Sequence, residues 1–362
     1  MPAPESSIPD ASAWRAHLRA LATALGLFAL GLYAFILVVD PYQNVPFSPP
    51  LPRAPVDTNQ RFSYPPIARN PAFDSAVFGT STARLLNPDH LNPLLHAKFA
   101  NLAMNGATAW EQSQIAGLFV RHHPRARFLV LGVDAMWCAT GATYQRTTFR
   151  FFPEWMYDDN RWNDLLYLFN DKVLEQAVRE VEYLQGKRRA KYRRDGYRYF
   201  LPAESRWDLA KARTKIYGSA DVDPAALAPA PDAPATRLDP SLYFPAHPLL
   251  DGLLGAAARE TAKVIVFVPY HEHMLRSEAV LYGECKGRIV DIAARHGNTH
   301  VVDFMIRSPI TGNDENYWDA LHFRKSVGRL VERSIATAVV ERRDAPGVYR
   351  YLRPANVRRA AP

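Results

Sequence analysis

A serine, an aspartate and a histidine lie in two short segments that are far apart in this 362-residue chain. Ser81 follows an apolar run and comes two residues after Gly79, whereas Asp319 and His322 are three residues apart near the C-terminus. These residue types form the minimal set that makes a hydroxyl nucleophilic at neutral pH: the nucleophile, a base, and a carboxylate that orients the base. Each also has a structural interpretation alone, because serine caps helices and a histidine can be hydrogen-bonded at a helix start.

The segments that must position these residues alternate between apolar strands and amphipathic helices. Short apolar runs predict five strands, at 74–78, 98–102, 127–133, 263–268 and 299–303. Apolar residues at helical spacing predict helices at 108–122, 163–184, 277–296 and 323–340. This alternation predicts an α/β fold of three layers, in which helices cover both faces of a mostly parallel sheet of about five strands.

Residues that could form a site follow most of the predicted strands. Ligands of open α/β sheets bind at the edge where parallel strands end, so we expect these residues to gather at one site. They are, in chain order, Ser81, Asn105, Gly106, Asp134, His271, Asp319 and His322.

Four short blocks of the chain stand out: Gly79-Thr80-Ser81, Asn105-Gly106, Gly132-Val133-Asp134 and Asp319-x-x-His322. In these blocks the chain resembles the SGNH (GDSL-type) hydrolase superfamily, above all membrane-anchored bacterial proteins of cell-envelope and polysaccharide O-acyl modification. The resemblance extends over about residues 72–340, apart from an insertion, and Thr80 stands where the family most often has aspartate. The α/β-hydrolase elbow, Gly-x-Ser-x-Gly, fits less well, because Ala83 occupies its last position.

The resemblance implies that Ser81 attacks an ester carbonyl, that His322 takes its proton, and that Asp319 orients the imidazole. It also implies an oxyanion hole made by the N–H groups of Ser81 and Gly106 together with a side chain of the third block.

The third block departs from the family, because Asp134 stands where an asparagine is usual. A carboxylate cannot donate a hydrogen bond unless it is protonated. Asp134 could stay neutral, Asn105 could supply the donor instead, or Asp134 could have another role.

Residues 20–39 form an uncharged run of twenty residues, long enough to span the roughly 30 Å hydrocarbon core of a bilayer. We expect an uncleaved anchor. The alternatives are a buried core helix, for which twenty residues is long, and a cleavable signal peptide, although no small-residue cleavage site follows. Arg15 and Arg19 precede the run, and the first basic residue after it is Arg53. The positive-inside rule then predicts a cytoplasmic N-terminus, with the remaining domain outside the cytoplasm. The resemblance to bacterial proteins implies that the membrane is the bacterial plasma membrane.

The predicted organisation places one α/β domain after this anchor. We expect an SGNH-like domain made of two stretches and interrupted by an aromatic- and arginine-rich insertion, which could be a lid. The segments are 1–19 (cytoplasmic), 20–39 (anchor), 40–71 (proline-rich tether), 72–140 and 263–342 (α/β domain), 141–262 (insertion) and 343–362 (basic tail).

The positive net charge raises the question of a nucleic-acid partner. The net charge of +8 comes from scattered and locally clustered basic residues without a nucleic-acid-binding motif, so we expect no nucleic-acid partner.

Cys138 and Cys285 could pair in an oxidising compartment. His271 and His273 lack the spacing of zinc enzymes, which favours structural or substrate-contact roles over a metal site. We expect no cofactor.

Two functions fit these patterns. The first is a membrane-anchored serine esterase or O-acyltransferase that acts on an acylated carbohydrate or envelope polymer through an acyl-Ser81 intermediate. The resemblance also implies a multi-span acyl-transfer partner. The second is a non-catalytic binding or assembly protein of the cell envelope, in which Asp134 marks a lost oxyanion hole.

Overall fold

Runs rich in β-branched and aromatic residues form the strands at the centre of the main sheet, as their propensity predicts. The computed structural model describes residues 11–359. Within this range the strands are β1 (Ser75–Phe78), β2 (Phe99–Asn101), β3 (Phe128–Val133), β4 (Thr236–Arg237), β5 (Ala262–Phe267), β6 (Thr299–Asp303), β7 (Arg350–Leu352) and β8 (Arg358–Arg359).

The main sheet has the order β2-β1-β3-β5-β6-β7. Its first five strands are parallel, and β7 pairs antiparallel with β6. The predicted α/β fold with a mostly parallel sheet is therefore confirmed, but the predicted number of strands is wrong, since the sheet has six. A separate two-stranded parallel sheet joins β4 to β8.

The helices connect and cover these strands. The α-helices of the described residues are α1 (Ala11–Val39), α2 (Gln60–Ser63), α3 (Pro65–Ala68), α4 (Pro88–Leu95), α5 (Ala109–His122), α6 (Asp171–Leu184), α7 (Leu209–Tyr217), α8 (His247–Ala256), α9 (Ala279–Ala293) and α10 (Lys325–Glu341). Short 3-10 helices lie at Ala83–Leu85, Glu154–Tyr157, Asn163–Tyr167, Glu204–Arg206, Pro224–Ala226, Glu272–Leu275, Asp314–Asn316 and Pro354–Asn356.

Alternate residues of the central strands face opposite layers, since side chains of a strand alternate between its two faces. Val77 and Val130 belong to one buried cluster with apolar residues of α4 and α10. Phe78, the next residue of β1, instead contacts Phe119 of α5. Helices therefore cover both faces of the sheet, and its strand ends remain the place where loops can form a site.

The chain divides into two compact units, of which one is Met1–Val56 with Asp159–Ala190. In it, α1 is long and apolar enough to cross a membrane, and a signal sequence would have the same properties. Arg53 donates hydrogen bonds to the carbonyls of Val38 and Val39, which lack intrahelical partners at the helix end.

The second unit is Asp57–Asp158 with Lys191–Pro362, and it contains both sheets. One disulfide, between Cys138 and Cys285, links the segment after β3 to α9. Both cysteines are buried. This cross-link joins residues 147 positions apart, and Cys138 lies four residues after Asp134.

Replacing both cysteines by serine should lower the free energy of unfolding by about 2–5 kcal/mol, because the cross-link restricts the unfolded chain. The measurement is urea unfolding of the full chain in detergent. As a control, a reductant should shift the wild-type midpoint toward that of the variant and leave the variant unchanged. Equal midpoints for the two proteins without reductant would contradict a formed disulfide.

Candidate functional site

Ser81 lies in a tight turn directly after β1, and two glycines make room for that turn. Gly79 has a φ of +143°, and a Cβ on it would lie 2.6 Å from Cβ of Ala83. A Cβ on Gly132 in β3 would meet the same atom at 2.6 Å. A side chain at either position would push the turn away from the sheet, so glycine is required for Ser81 to sit at the strand end.

The structure brings the three residues of the expected triad together. Ser81 Oγ lies 2.8 Å from Nε2 of His322, and Nδ1 of that imidazole lies 2.8 Å from Asp319 Oδ2. With the proton on Nδ1, the ring donates to Asp319 and its Nε2 accepts from the serine hydroxyl, as a general base must. The serine hydroxyl can therefore lose its proton to a ring that is already oriented.

The loop that carries Asp319 and His322 is held by its own backbone. Trp318 N–H donates to the His322 carbonyl at 2.8 Å, and a β-bridge joins Tyr317 to Phe323. Asp319 Oδ1 also accepts from the N–H of His322. Burial alone would raise the pKa of Asp319, but these hydrogen bonds and the His322 imidazole outweigh it and lower the pKa. The carboxylate thus stays charged opposite the ring.

Two backbone N–H groups beside the serine have no acceptor. The N–H groups of Ser81 and Gly106 form no hydrogen bond within the described residues. The segment of Gly106 lies next to the serine turn, since Met104 N–H donates to the Gly79 carbonyl at 2.9 Å. Gly106 is exposed and has a φ of +56°. These groups match two donors that the SGNH resemblance implies for an oxyanion hole.

The side chain of Asn105 has a defined orientation. Its Oδ1 accepts from Nη1 of Arg84, which is buried with 3% of its surface exposed. Because Oδ1 is engaged, Nδ2 points away from Arg84, and Nδ2 forms no hydrogen bond within residues 11–359. Asn105 can therefore supply a third donor next to Gly106.

Asp134 is buried, and both of its carboxylate oxygens accept hydrogen bonds. The Thr80 hydroxyl donates to Oδ2, and Met136 N–H donates to Oδ1 at 3.0 Å. Burial raises the pKa of Asp134 to about 6, although the Thr80 hydrogen bond opposes the shift. The carboxylate thus anchors Thr80, the residue before the nucleophile, and this geometry favours the alternative in which Asp134 has another role than oxyanion donor.

His271 is buried and contacts the loop that carries Asp319 and His322. Its Nδ1 accepts from His273 N–H at 3.1 Å, and its Nε2 lies 3.1 Å from Asp314 Oδ1, so the neutral ring donates to that carboxylate. The main-chain N–H of His271 donates to the Ala320 carbonyl, in the loop that carries Asp319 and His322. Burial lowers the pKa of His271 to about 4, which keeps the ring neutral. The side chain is buried rather than open to a substrate, and the described residues contain no metal-binding cluster.

Sequence reasoning missed three residues around the triad. Phe200 places its ring edge-on to the His322 imidazole at 5.6 Å, and the Arg84 guanidinium lies 4.6 Å from the centre of the same ring. Arg150 Nη1 lies 3.4 Å from the Asn105 carbonyl. Arg84 comes three residues after Ser81, a spacing that could have indicated it, whereas no local pattern marks Phe200 or Arg150.

A buried ion pair lies beside the Asn105 segment. Arg61 contacts Glu111 at 2.5 Å with both side chains fully buried. Glu111 belongs to the capping box that starts α5, in which its carboxylate accepts from Thr108 N–H at 3.0 Å. Arg61 also reaches the Asn105 carbonyl at 3.5 Å. The pair ties the start of α5 to the segment that carries the expected oxyanion donors.

No model of a protein family matches this chain, and a search of curated proteins likewise finds no relative.

Replacing Asp134 by asparagine should change how stability depends on pH. Since burial raises the pKa of the Asp134 carboxyl from its ordinary 3.8 to about 6, this group binds more proton in the folded protein than in the unfolded chain between these pH values. The contribution of Asp134 to the wild-type free energy of unfolding must therefore fall as pH rises through this window. The difference in free energy of unfolding, variant minus wild type, should therefore increase by about 1–3 kcal/mol between about pH 4 and pH 7. Urea unfolding at both pH values measures this gain, and a constant difference would refute the charge assignment.

Proposed function

We propose that the chain is an SGNH-type serine esterase or O-acyltransferase with an acyl-Ser81 intermediate. The observation that carries the proposal is the continuous hydrogen-bonded triad, with Ser81 Oγ at 2.8 Å from His322 and His322 at 2.8 Å from Asp319. Unbonded N–H groups beside the serine support it further, because an ester carbonyl attacked by Ser81 develops negative charge that needs such donors.

The chemistry follows from these positions. His322 Nε2 takes the proton of Ser81 as the serine oxygen bonds to the ester carbonyl carbon, and Asp319 stabilises the imidazolium that forms. The tetrahedral oxyanion accepts hydrogen bonds from the N–H groups of Ser81 and Gly106 and from Asn105 Nδ2. Collapse of this intermediate breaks the bond to the leaving oxygen, which takes the proton from His322.

The second half of the reaction regenerates the serine. A water molecule or a sugar hydroxyl gives its proton to His322 and attacks the acyl carbon, and the Ser81 oxygen leaves with that proton. Water gives hydrolysis and a sugar hydroxyl gives acyl transfer, so both activities use the same residues. We propose an acylated carbohydrate or envelope polymer as the substrate and, following the resemblance, a multi-span acyl-transfer partner.

We further propose that α1 anchors the protein in the bacterial plasma membrane, with the site outside the cytoplasm. Arg15 and Arg19 on the N-terminal side of the apolar run support a cytoplasmic N-terminus. The disulfide Cys138–Cys285 supports the same orientation independently, because disulfides persist in oxidising compartments and are rare in the cytosol. No nucleic-acid partner and no cofactor enter this proposal.

The nucleophile is tested by comparing wild type with Ser81→Ala. Wild type should hydrolyse 4-nitrophenyl acetate and should form a covalent adduct with a fluorophosphonate, whereas the variant should lose both reactions. Ser219→Ala, a change at an exposed loop serine, should behave as wild type. If the folded wild-type protein shows neither turnover nor an adduct at Ser81, the non-catalytic envelope-protein hypothesis replaces this proposal.

The oxyanion assignment is tested by Asn105→Ala. Loss of one such donor should lower kcat by about 10²–10³-fold, since the donor acts on charge that develops only in the transition state. The exposed Asn356→Ala variant is the matched control and should retain kcat. A kcat for Asn105→Ala within about threefold of wild type would exclude Asn105 from the oxyanion hole.

A further inference from the structure

Two arginines beside the proposed oxyanion hole have no carboxylate partner. Arg84 and Arg150 form no ion pair within the described residues, whereas their neighbour Arg61 is neutralised by Glu111. Both unpaired guanidinium groups contact Asn105, Arg84 through Oδ1 and Arg150 through the main-chain carbonyl at 3.4 Å. The segment next to Ser81 thus carries positive charge that the protein does not compensate.

The burial of Arg84 makes this charge effective. Its guanidinium lies between aromatic groups, 4.6 Å from the centre of the Phe200 ring and 5.8 Å from that of Tyr192. Cation–π contacts stabilise a guanidinium in such surroundings without cancelling its charge. Positive charge in a site of low polarity acts more strongly on a nearby anion than the same charge at an open surface.

Arg150 is the group that a ligand can reach. It is half-buried, and its Nη1 would lie 3.5 Å from a Cβ on the exposed Gly106. Besides the Asn105 carbonyl, its guanidinium lies over the Phe149 ring, 4.8 Å from the ring centre. The main-chain N–H of Arg150 donates to the Thr148 hydroxyl. A guanidinium has five N–H donors in a planar fork, so most of them are available to a bound group.

We propose that Arg150, within the positive potential of Arg84, binds a carboxylate on the alcohol part of the ester substrate. This inference rests on the proposed esterase or acyltransferase activity and names its substrate class: an acidic carbohydrate or another ester whose alcohol part carries a carboxylate. Arginine pairs with carboxylates through two parallel N–H···O bonds, which would fix the substrate beside the oxyanion hole. Arg84 acts at longer range and also orients Asn105.

The test compares two acetate esters that differ only in charge. 4-Acetoxyphenylacetate carries a carboxylate, which a methylene group separates from the phenol ring. 4-Acetoxyphenylacetamide is its neutral counterpart. Wild type should show a kcat/KM about tenfold higher for the charged ester, as expected for a charge-assisted hydrogen bond in a half-exposed position. Added salt should reduce this ratio.

Arg150→Gln should bring the ratio of the two kcat/KM values close to one. The matched control is Arg146→Gln, because Arg146 is exposed, pairs with Glu154 at 2.8 Å and should not affect the ratio. A wild-type ratio near one, or an equal loss of the ratio in both variants, would overturn the carboxylate site. If wild type hydrolyses both esters through Ser81 with equal kcat/KM, only this inference fails. If it hydrolyses neither, the proposed function fails with it.

Discussion

The hydrogen bond between Ser81 and His322 joins residues that are 241 positions apart, and the arrangement of the site depends on it. One end is fixed by a turn that packs against β3 so closely that Gly79 and Gly132 tolerate no side chain. The other end is fixed by a loop that closes on itself and accepts a hydrogen bond from His271. The rigid sheet edge lies between the two, so the triad geometry follows from packing rather than from the triad residues alone.

A buried carboxylate and two guanidinium groups without an ion-pair partner in the described residues lie near this hydrogen bond. Behind the serine, Asp134 is buried and accepts from Thr80, and its raised pKa reflects the cost of removing a carboxylate from water. Next to the serine, the guanidinium groups of Arg84 and Arg150 surround Asn105 without an ion-pair partner in the described part of the chain. Positive charge and unbonded N–H groups therefore lie near Ser81, where we propose that an oxyanion forms, and the carboxylate of Asp134 is held inside by hydrogen bonds.

Periodicity was sufficient to predict the strands at the centre of the sheet, because each is a short, continuous apolar run. It missed Arg350–Leu352, since a three-residue edge strand that begins with a charged residue has no such signal. It also merged 163–184 into one helix, whereas the Asn170 side chain accepts from Val173 N–H and starts a new helix there. At the site, the order of the motifs indicated which residues meet, but the orientation of Asn105 depends on Arg84, a contact that only the folded chain creates.

We propose that Ser81 carries an acyl group during the reaction. This group can be detected most directly by mass spectrometry of peptides from the full-length protein, acid-quenched during turnover of an activated acetate ester. We predict one acetyl group on the peptide that contains Ser81, and a burst of released alcohol that matches the enzyme concentration. Turnover with no acetyl group on Ser81, or with the acetyl group on another residue, would contradict it.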